Sequence, residues 1–337
     1  VQMKRLSSLL KNIPCRTDFP TETEISSVCY NSNNAGDGSL FVCIRGTRAD
    51  GHNYARSAYD KGARVFLCEK ELPLPSDAVQ IITDDCRAAL ADVSAEFFSH
   101  PEKEIKIIGI TGTKGKSTVA HMVRHILESS GIKTGLIGTC GIAFGKSHRP
   151  TENTTPESYE LFRALREMAD FGCECAAIEV SSQAMLMGRV RGIPFFATVM
   201  TNLYPDHIGP GEHPDFENYK NCKKALFSLS ERAVLNADDA FYNEFSAAAK
   251  GKIITYSINS ESDFRASELS SLENALGKGF IVNHGGTQTP ACIPLPSDFS
   301  VYNSLAAIAA CSLLGVNVKA CADALPTVSV PGRFETV

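Results

Sequence analysis

The sequence lacks any excess of basic residues, because 33 lysines and arginines stand against 38 aspartates and glutamates. A formal net charge of −5 offers no electrostatic surface for nucleic acid or an anionic membrane. A run of about 18 apolar residues, which a membrane-spanning helix requires, is also missing, since the longest candidate, Leu305–Val316, is short and alanine-rich. The first residues contain no secretory apolar segment, and a start at Val1 suggests a processed or engineered terminus. We therefore expect a cytoplasmic protein that neither binds nucleic acid nor inserts into a membrane.

None of the 12 cysteines forms a CxxC pair, and only Cys173 and Cys175 lie close together in the sequence. Structural zinc sites usually take cysteine ligands in closely spaced pairs, and disulfide-stapled domains are far shorter than 337 residues. Several thiols, such as Cys43 and Cys68, lie within apolar runs, where cysteine packs as a small hydrophobic residue. We expect reduced thiols in a cytosolic protein.

What the sequence does contain is an alternation of short apolar strands and amphipathic helices, in a chain long enough for two or three domains. The first hundred residues predict a small α/β unit. Its strands are expected at 39–45, 62–68 and 81–82, and its helices at 54–61 and 87–98. A polar stretch with a proline, 99–104, predicts a domain boundary. From Ile105 onward strands and helices alternate, which predicts an α/β domain with a mainly parallel sheet and helices on both faces.

One loop of this second region has the composition of a phosphate-binding loop. It lies between an apolar strand and an amphipathic helix and consists of Gly112, Thr113, Lys114, Gly115, Lys116, Ser117 and Thr118. Glycines permit a tight turn with inward N–H groups, and the helix N-terminus attracts anions. Lys116 can reach the β- and γ-phosphates, and the Ser117 hydroxyl suits Mg²⁺. The spacing GxxGKS is shorter than the general GxxxxGKS, so a glycine-rich turn with an exposed lysine is the alternative, but the order of elements favours a nucleoside triphosphate.

The same loop resembles the ATP site of the Mur ligase superfamily, whose members form amide bonds onto UDP-N-acetylmuramyl peptides. Three segments are similar to the uridine-binding N-terminal domain that the E and F classes of this family share: Tyr30–Asn33, Gly38–Gly46 and Asp50–Tyr54. Later segments are similar to the E class, in the expected order: Asn153–Glu157, Glu179–Gln183 with Arg189, Thr201–His207, Tyr219–Lys223 and Asp298–Asn303. The resemblance covers nearly the whole chain.

The resemblance implies an ATP-dependent, ADP-forming amide ligase of cytoplasmic peptidoglycan precursor synthesis. Such an enzyme adds the third amino acid, a diamino acid such as L-lysine or diaminopimelate, to UDP-N-acetylmuramoyl-L-alanyl-D-glutamate through an acyl phosphate. The segment 206–214 is more similar to lysine-adding members. ATP is then a substrate and Mg²⁺ the cofactor, with two ions expected. A monomer is expected.

The resemblance also implies how the chain is divided. Residues 1–101 are expected to form a uridine-nucleotide-binding domain, and residues 102–331 a central P-loop ATP-binding domain. Residues 332–337 are expected to start the linker to a C-terminal Rossmann-like domain that is missing. Because that domain binds the incoming amino acid in the family, we expect this chain to bind substrates weakly and to turn over little.

The candidate catalytic residues are Lys116, His207 and Lys223, and the candidate metal ligands are Ser117, Glu179, His207 and Lys223. Glu179 ends a core strand, and its hard oxygen donors suit Mg²⁺, although a capping or salt-bridged acid is the alternative. The resemblance implies that His207 holds a second Mg²⁺; a satisfied loop histidine is the other interpretation. It also implies that Lys223 is carbamylated. Lysines 220, 223 and 224 otherwise read as a solvated helix face, and Lys224 is the fallback because the segment before it is longer than in many relatives.

For the acceptor, Thr154, Thr155, Ser181 and Arg189 offer hydroxyls and a guanidinium suited to carboxylate and sugar oxygens. The Thr-Thr-Pro sequence is equally typical of a helix N-cap. By resemblance, Asn153 joins the acceptor site and Asn303 approaches the adenine. The uridine is expected at Tyr30, Ser32, Thr47, Arg48 and Ala49. The chain departs from the family pattern at Asn31, Asn33, Lys114, Ser117, Met187 and Ser300, and the first two changes put strong uracil binding in doubt.

Two other functions remain open from the sequence. One is a different ligase on the same central fold, such as an F-class ligase, a folylpolyglutamate synthetase or a cyanophycin-type enzyme. The Glu179-Val-Ser-Ser sequence and the uridine-like N-terminal region argue against the latter two. The other is a nucleotide-binding module that has no ligase activity of its own.

Overall fold

A computed structural model describes residues 3–15, 20–46, 49–272 and 276–331. The chain forms two compact units. Unit 1 consists of the described part of residues 1–101 together with Pro156–Arg166 and Met187–Gly192, and unit 2 contains the other described residues. Among these residues, no helix has the length and apolar character needed to traverse a bilayer. The expected linker, 332–337, lies outside the described residues.

Unit 1 is a small α/β structure. Its strands are β1 (Lys4–Arg5), β2 (Glu24–Ile25), β3 (Ser27–Cys29), β4 (Ser39–Val42), β5 (Val65–Cys68) and β6 (Val79–Ile82), and its main helices are α1 (Leu6–Leu9), α2 (Ala55–Asp60) and α3 (Cys86–Phe97). Strands β3 to β6 form a parallel sheet in sequence order, and β1 pairs with β2 in antiparallel fashion. The strands and helices predicted in this region are therefore confirmed.

The sheet of unit 1 is buried on both faces. Leu40 and Val42 of β4 pack with α1 and α3, whereas Phe41 packs with α2 and with Phe66 of β5. Successive side chains of a strand point to opposite faces, so a strand covered on both sides has to be apolar throughout. This explains the uninterrupted apolar run at 40–44.

Unit 2 contains the remaining elements. Its strands are β7 (Lys106–Thr111), β8 (Thr134–Gly138), β9 (Gly141–Phe144), β10 (Ser147–Arg149), β11 (Cys175–Glu179), β12 (Phe195–Met200), β13 (Arg232–Asn236), β14 (Lys252–Ser257), β15 (Phe264–Ser271), β16 (Lys278–His284) and β17 (Thr287–Ile293). Its helices are α4 (Lys116–Ser129), α5 (Ser158–Phe171, whose first part belongs to unit 1), α6 (Ser182–Leu186), α7 (Phe216–Ala225), α8 (Tyr242–Ala248), α9 (Asp298–Ser312) and α10 (Val318–Ala324).

These strands form one sheet with the order β10-β9-β8-β11-β7-β12-β13-β14-β15-β16-β17. Pairing is parallel from β8 to β15 and antiparallel at both ends. The predicted α/β class and mainly parallel sheet are confirmed, and the antiparallel edges are additional. The chain leaves β7 toward β8 on one side and later reaches β12 on the other. Ligands of open α/β sheets bind at such a switch point, at the carboxyl ends of the strands.

The helix that follows β7 is fixed by an apolar core. Val119, Met122, Val123 and Ile126 of α4 are fully buried with Leu305 of α9. Their spacing of three and four residues places them on one face of α4, as the sequence predicted. The N-terminus of α4 is thereby held at the carboxyl edge of the sheet, where β7, β11 and β12 end.

Candidate nucleotide and acceptor site

The loop between β7 and α4 has a conformation that requires glycine. Gly112 and Gly115 have φ values of 144° and 89°. A Cβ atom on Gly112 would overlap the Thr201 hydroxyl, and one on Gly115 would lie 2.6 Å from Asn303 Oδ1. Gly115 is the N-cap of α4, so the loop brings backbone N–H groups and the positive end of the helix together.

Residues that follow β12 hold this loop from the side. Thr201 Oγ1 donates to the Lys114 carbonyl at 2.6 Å, and Asn202 brackets the same residue, accepting from its N–H at 2.9 Å and donating to its carbonyl at 3.0 Å. Thr113 Oγ1 is within 3.0 Å of the Tyr219 hydroxyl. The loop is therefore fixed by side chains before any ligand binds.

Two lysine amines converge on one carbonyl oxygen. Lys116 Nζ and Lys223 Nζ each donate to the Gly112 oxygen at 2.9 Å, and Lys223 is only 2% exposed. Burial lowers the pKa of both amines, and for Lys223, whose pKa falls well below 10.5, the nearby Lys116 adds to the effect. Lys116 therefore supplies the loop with an amine that can bind an anionic ligand.

The three lysines of helix α7 have different partners. Lys223 points into the phosphate loop, whereas Lys220 pairs with Glu217 and Glu244 at 2.9 Å and Lys224 lies 3.8 Å from Glu244. The structure thus places Lys223, and not the fallback Lys224, beside the loop.

Glu179, at the end of β11, is fully buried beside Ser117. Its carboxylate accepts from Ser117 Oγ at 2.8 Å and from Thr139 at the backbone N–H (2.9 Å) and the hydroxyl (3.2 Å). A side chain on Gly138 would overlap the carboxylate, so a glycine is needed there. Burial raises the pKa of Glu179 although these hydrogen bonds oppose the change. The sequence reasoning missed Thr139, whose only signal was its position directly after β8.

The donor set at Ser117 and Glu179 fits Mg²⁺. A hydroxyl and a carboxylate are hard oxygen ligands, and Mg²⁺ in nucleotide sites is commonly held by one or two carboxylates plus waters and phosphates. Within the described ranges, no group of three or more His, Cys, Asp or Glu side chains forms a metal-binding cluster. The Lys223 amine is not a Mg²⁺ ligand as it stands, so a second ion would need that group converted to an anion.

His207 follows β12 in a left-handed conformation, with φ 56°, and its side chain is half exposed. Its Nδ1 lies 3.0 Å from Glu212 Oε1, and its ring stands 6.0 Å from that of Tyr219. The neighbouring Asp206 pairs with Lys114 at 2.9 Å, which lowers the pKa of Asp206. In the described structure, His207 contacts its own segment and Tyr219 of α7, and not Glu179.

A second histidine, His213, was missed by the sequence reasoning. It is 1% exposed, with Nε2 2.9 Å from Ser182 Oγ of α6 and Nδ1 2.7 Å from Asn218 Oδ1 of α7. It joins two helices and so fixes α7, which carries Lys223. Its burial depends on a tertiary contact between distant segments, which the sequence does not display.

A cavity of about 300 Å³ adjoins the phosphate loop. Its lining includes Lys114, Gly115, Leu295, Phe299 and Asn303, and Phe299 is 59% exposed. Apolar walls with one side-chain amide suit a flat heteroaromatic base. The structure thus brings Asn303 to the phosphate loop.

The acceptor candidates of unit 2 lie around the end of β11. Thr155 is fully buried, donating from Oγ1 to the Glu179 carbonyl at 2.7 Å and accepting from the Ser181 N–H at 3.1 Å. Thr154 Oγ1 lies 3.0 Å from Thr139 Oγ1, and Ser181 Oγ accepts from the backbone of α6. Asn153 is exposed. Thr155 therefore supports the strand end that carries Glu179.

The candidates of unit 1 form a separate set. Tyr30 donates to Glu160 at 2.9 Å, Ser32 is buried in a short 3₁₀ turn capped by Asn31, and Ala49 is exposed. Arg189 pairs with Glu157 at 3.0 Å. Thr47 and Arg48 lie outside the described residues.

A strand–loop–helix phosphate site at the switch point of an α/β sheet defines a P-loop nucleotide-binding protein. Family models place this chain more narrowly: "Mur ligase middle domain" matches residues 110–311, and "Mur ligase family, catalytic domain" matches residues 24–98. The chain belongs to the Mur ligase family, and the resemblance found in the sequence is confirmed.

Individual relatives agree with this membership. The chain is 38% identical over 336 residues to a UDP-N-acetylmuramoyl-L-alanyl-D-glutamate--2,6-diaminopimelate ligase of Clostridium botulinum, with 98% of this chain and 69% of the relative covered. Identity to the enzyme of the same name from Clostridium perfringens is 37%, with the same coverage. A solved ligase structure of that name superposes with a TM-score of 0.86 at 24% identity, covering 100% of this chain and 69% of the other. At that identity the superposition establishes the fold alone.

Proposed function

We propose that this protein is an ATP-dependent ligase that joins a diamino acid to UDP-N-acetylmuramoyl-L-alanyl-D-glutamate. The observation that carries the proposal is the convergence of Lys116 and Lys223 on the Gly112 carbonyl, next to the buried Ser117–Glu179 pair. This is a site for a polyphosphate and a hard cation. The relatives named as ligases of that acceptor and diaminopimelate cover 98% of the chain, which favours diaminopimelate as the amino acid.

ATP would bind along the loop 112–118. The inward backbone N–H groups and the N-terminus of α4 would hold the phosphates, and Lys116 would leave the Gly112 carbonyl for the β- and γ-phosphate oxygens. The adenine would occupy the cavity beside Asn303. Thr113, Lys114 and Thr118 complete this proposed set, in which Thr113 positions the loop through Tyr219.

The reaction has two steps. A carboxylate oxygen of the acceptor attacks the γ-phosphorus, and the bond to the β,γ-bridging oxygen breaks, so ADP leaves and an acyl phosphate forms. The amine then attacks the acyl carbon, phosphate leaves with its bonding electrons, and the amine loses a proton. Lys116 would neutralise charge on the transferred phosphoryl group throughout.

Ser117 and Glu179 would hold one Mg²⁺, and His207 with a carbamylated Lys223 would hold a second. Bound Mg²⁺ supplies charge neutralisation for phosphate and carboxylate oxygens. Carbamylation joins the Lys223 nitrogen to the carbon of CO₂ with loss of one proton, which turns an amine into an anionic oxygen donor. This needs a neutral amine, and the lowered pKa of buried Lys223 supports that state.

We propose Tyr30, Ser32, Thr47, Arg48 and Ala49 as the residues that would bind the uridine. Asn153, Thr154, Thr155, Ser181 and Arg189 are the residues proposed for the other oxygens of the acceptor. We further propose a cytoplasmic, monomeric protein with this nucleotide-linked peptide and a free amino acid as its partners.

A thermal-shift comparison tests the proposed acceptor. We expect UDP-N-acetylmuramoyl-L-alanyl-D-glutamate, added with Mg²⁺ and a nonhydrolysable ATP analogue, to raise the Tm above the value with nucleotide alone. A folyl glutamate at the same concentration should give no such increase. An increase with the folate and none with the muramyl dipeptide would show that the proposed acceptor is wrong.

Glu179→Gln separates stability from activity. Because burial raises the pKa of Glu179 above 4.5, the folded protein binds more protons than the unfolded one between these pKa values, and stability is lost as pH rises through that window. The Glu179→Gln variant does not undergo this loss of stability, because glutamine does not titrate. We expect the ligand-free variant to be at least as stable as wild type near neutral pH, while acceptor-dependent ADP release falls about 100-fold. The Tm measured against pH checks the stability, and a coupled ADP assay checks the activity. A variant that is less stable than wild type at neutral pH and keeps more than one-tenth of the wild-type ADP release would contradict the assignment.

A further inference from the structure

Arg189 belongs to a cluster of three charged side chains within unit 1. Glu157 Oε1 accepts from Arg189 Nε and Nη2, both at 3.0 Å, and Glu157 Oε2 accepts from Arg87 Nη1 at 2.9 Å. These side chains are only 10% (Arg189), 12% (Glu157) and 17% (Arg87) exposed. Ions so poorly hydrated are held in place only by close pairing, and here one carboxylate serves two guanidinium groups.

Hydrogen bonds to main-chain carbonyl groups also hold both arginines in place. Arg87 Nε donates to the Arg45 carbonyl at 2.7 Å, and Ser158 Oγ donates to the Arg189 carbonyl at 3.1 Å. Arg189 is therefore held both at its backbone and at its guanidinium. An arginine fixed in this way loses its side-chain freedom on folding and not on binding a ligand, which increases affinity.

We propose that Glu157 and Arg87 are positioning residues that orient the Arg189 guanidinium toward an anionic oxygen of the acceptor. The inference rests on the proposed function, in which Arg189 binds that acceptor. The anionic oxygen belongs either to a carboxylate of the muramyl dipeptide or to the pyrophosphate, and both offer the planar or tetrahedral oxygens that arginine binds.

The test is calorimetric binding of UDP-N-acetylmuramoyl-L-alanyl-D-glutamate to wild type and to Glu157→Gln, which keeps the shape but removes the charge. We expect the Kd for this acceptor to rise about tenfold and the Kd for ATP to stay unchanged, since a hydrogen bond to a charged group is lost only at Arg189 and Arg87. Arg87→Lys should weaken acceptor binding in the same direction. The matched control is Asp92→Asn, which removes the nearby exposed pair with Arg191 (3.4 Å) and should leave both Kd values unchanged.

A double variant, Glu157→Gln with Arg189→Lys, shows whether Glu157 acts through Arg189. The combined loss should be smaller than the product of the single losses. Independent losses, or a Glu157→Gln variant with a lower Tm but unchanged acceptor Kd, would overturn the positioning role. Repeating the titrations with UDP identifies the anion: a loss shared by UDP assigns it to the pyrophosphate, and a loss confined to the dipeptide-bearing ligand assigns it to a carboxylate, with either supporting the proposal. A wild-type protein that does not bind the acceptor would instead overturn the proposed function itself, and the inference with it.

Discussion

In the full-length enzyme, Lys116→Met should lower acceptor-dependent ADP release by about 1,000-fold and weaken ATP binding. Methionine is close to lysine in length, so the loop keeps its packing but loses the amine that would reach the transferred phosphate. Removal of one preorganised donor from a transition-state charge typically costs 100- to 1,000-fold, roughly, and this donor carries a full charge. The measurements are a coupled ADP assay and calorimetric titration with an ATP analogue.

The loss at Lys116 should not come from unfolding. Burial lowers the pKa of this amine in the folded protein, so replacing it with an apolar side chain should leave the Tm equal or higher. Lys319→Met is the control, because Lys319 is a highly exposed lysine paired with Asp323 on α10. Wild-type ATP affinity in Lys116→Met would show that the loop does not bind phosphate as proposed.

Lys223→Met should also reduce ADP release about 1,000-fold, while Lys224→Met should leave it unchanged. Both substitutions remove one lysine from α7, but only Lys223 reaches the phosphate loop, and Lys224 lies beside Glu244. The physical reason is the loss of the proposed carbamate, which neither methionine nor arginine can form, so Lys223→Arg should be equally inactive. Equilibration with ¹³C-labelled bicarbonate should give a carbamate NMR signal in wild type and none in these two Lys223 variants. An active Lys223→Met protein, or an inactive Lys224→Met protein, would reverse the assignment.

The same variant has a distinct stability signature. In CO₂-free buffer the unfolded protein binds more protons than the folded one between the lowered pKa of Lys223 and 10.5, so wild-type stability rises with pH through that window. Lys223→Met lacks this rise and should be the more stable protein at neutral pH. A series of Tm values from neutral to alkaline pH measures the difference, and a methionine variant that melts below wild type at neutral pH would contradict it.

Local patterns were sufficient for the centre of the fold. The run 106–111, the glycines of the loop and the spacing of Val119, Met122 and Ile126 predicted β7, the phosphate loop and α4, because each of these signals lies within a few neighbouring residues. The antiparallel strands β15 to β17 were not predicted. Their sequences are polar and half-exposed, so they lack the apolar runs that marked the buried strands, although only Gly285 and Gly286 separate β16 from β17.

The residues of the candidate site also divide into those that the sequence could predict and those that it could not. Lys116, Ser117 and Glu179 could be predicted because a strand end or a helix start marks each of them. His213 and the Arg87–Glu157 pair could not, since each depends on which segments the fold brings together. Lys223 lies between these cases: the family pattern indicated it, but only the structure separates it from Lys224 on the same helix.

The Gly112 carbonyl, shared by two lysine amines, has a consequence for how nucleotide enters and leaves. The Gly112 oxygen, together with the Thr113 oxygen 3.1 Å from Lys116 Nζ, already provides hydrogen-bond acceptors that a phosphate oxygen would otherwise supply. Binding then exchanges one acceptor for another and does not require Lys116 to be stripped of water at that moment. Release runs the same exchange in reverse, so the spent nucleotide can depart without leaving the Lys116 amine unsatisfied. A rigid loop can in this way complete a catalytic cycle by moving a single side chain.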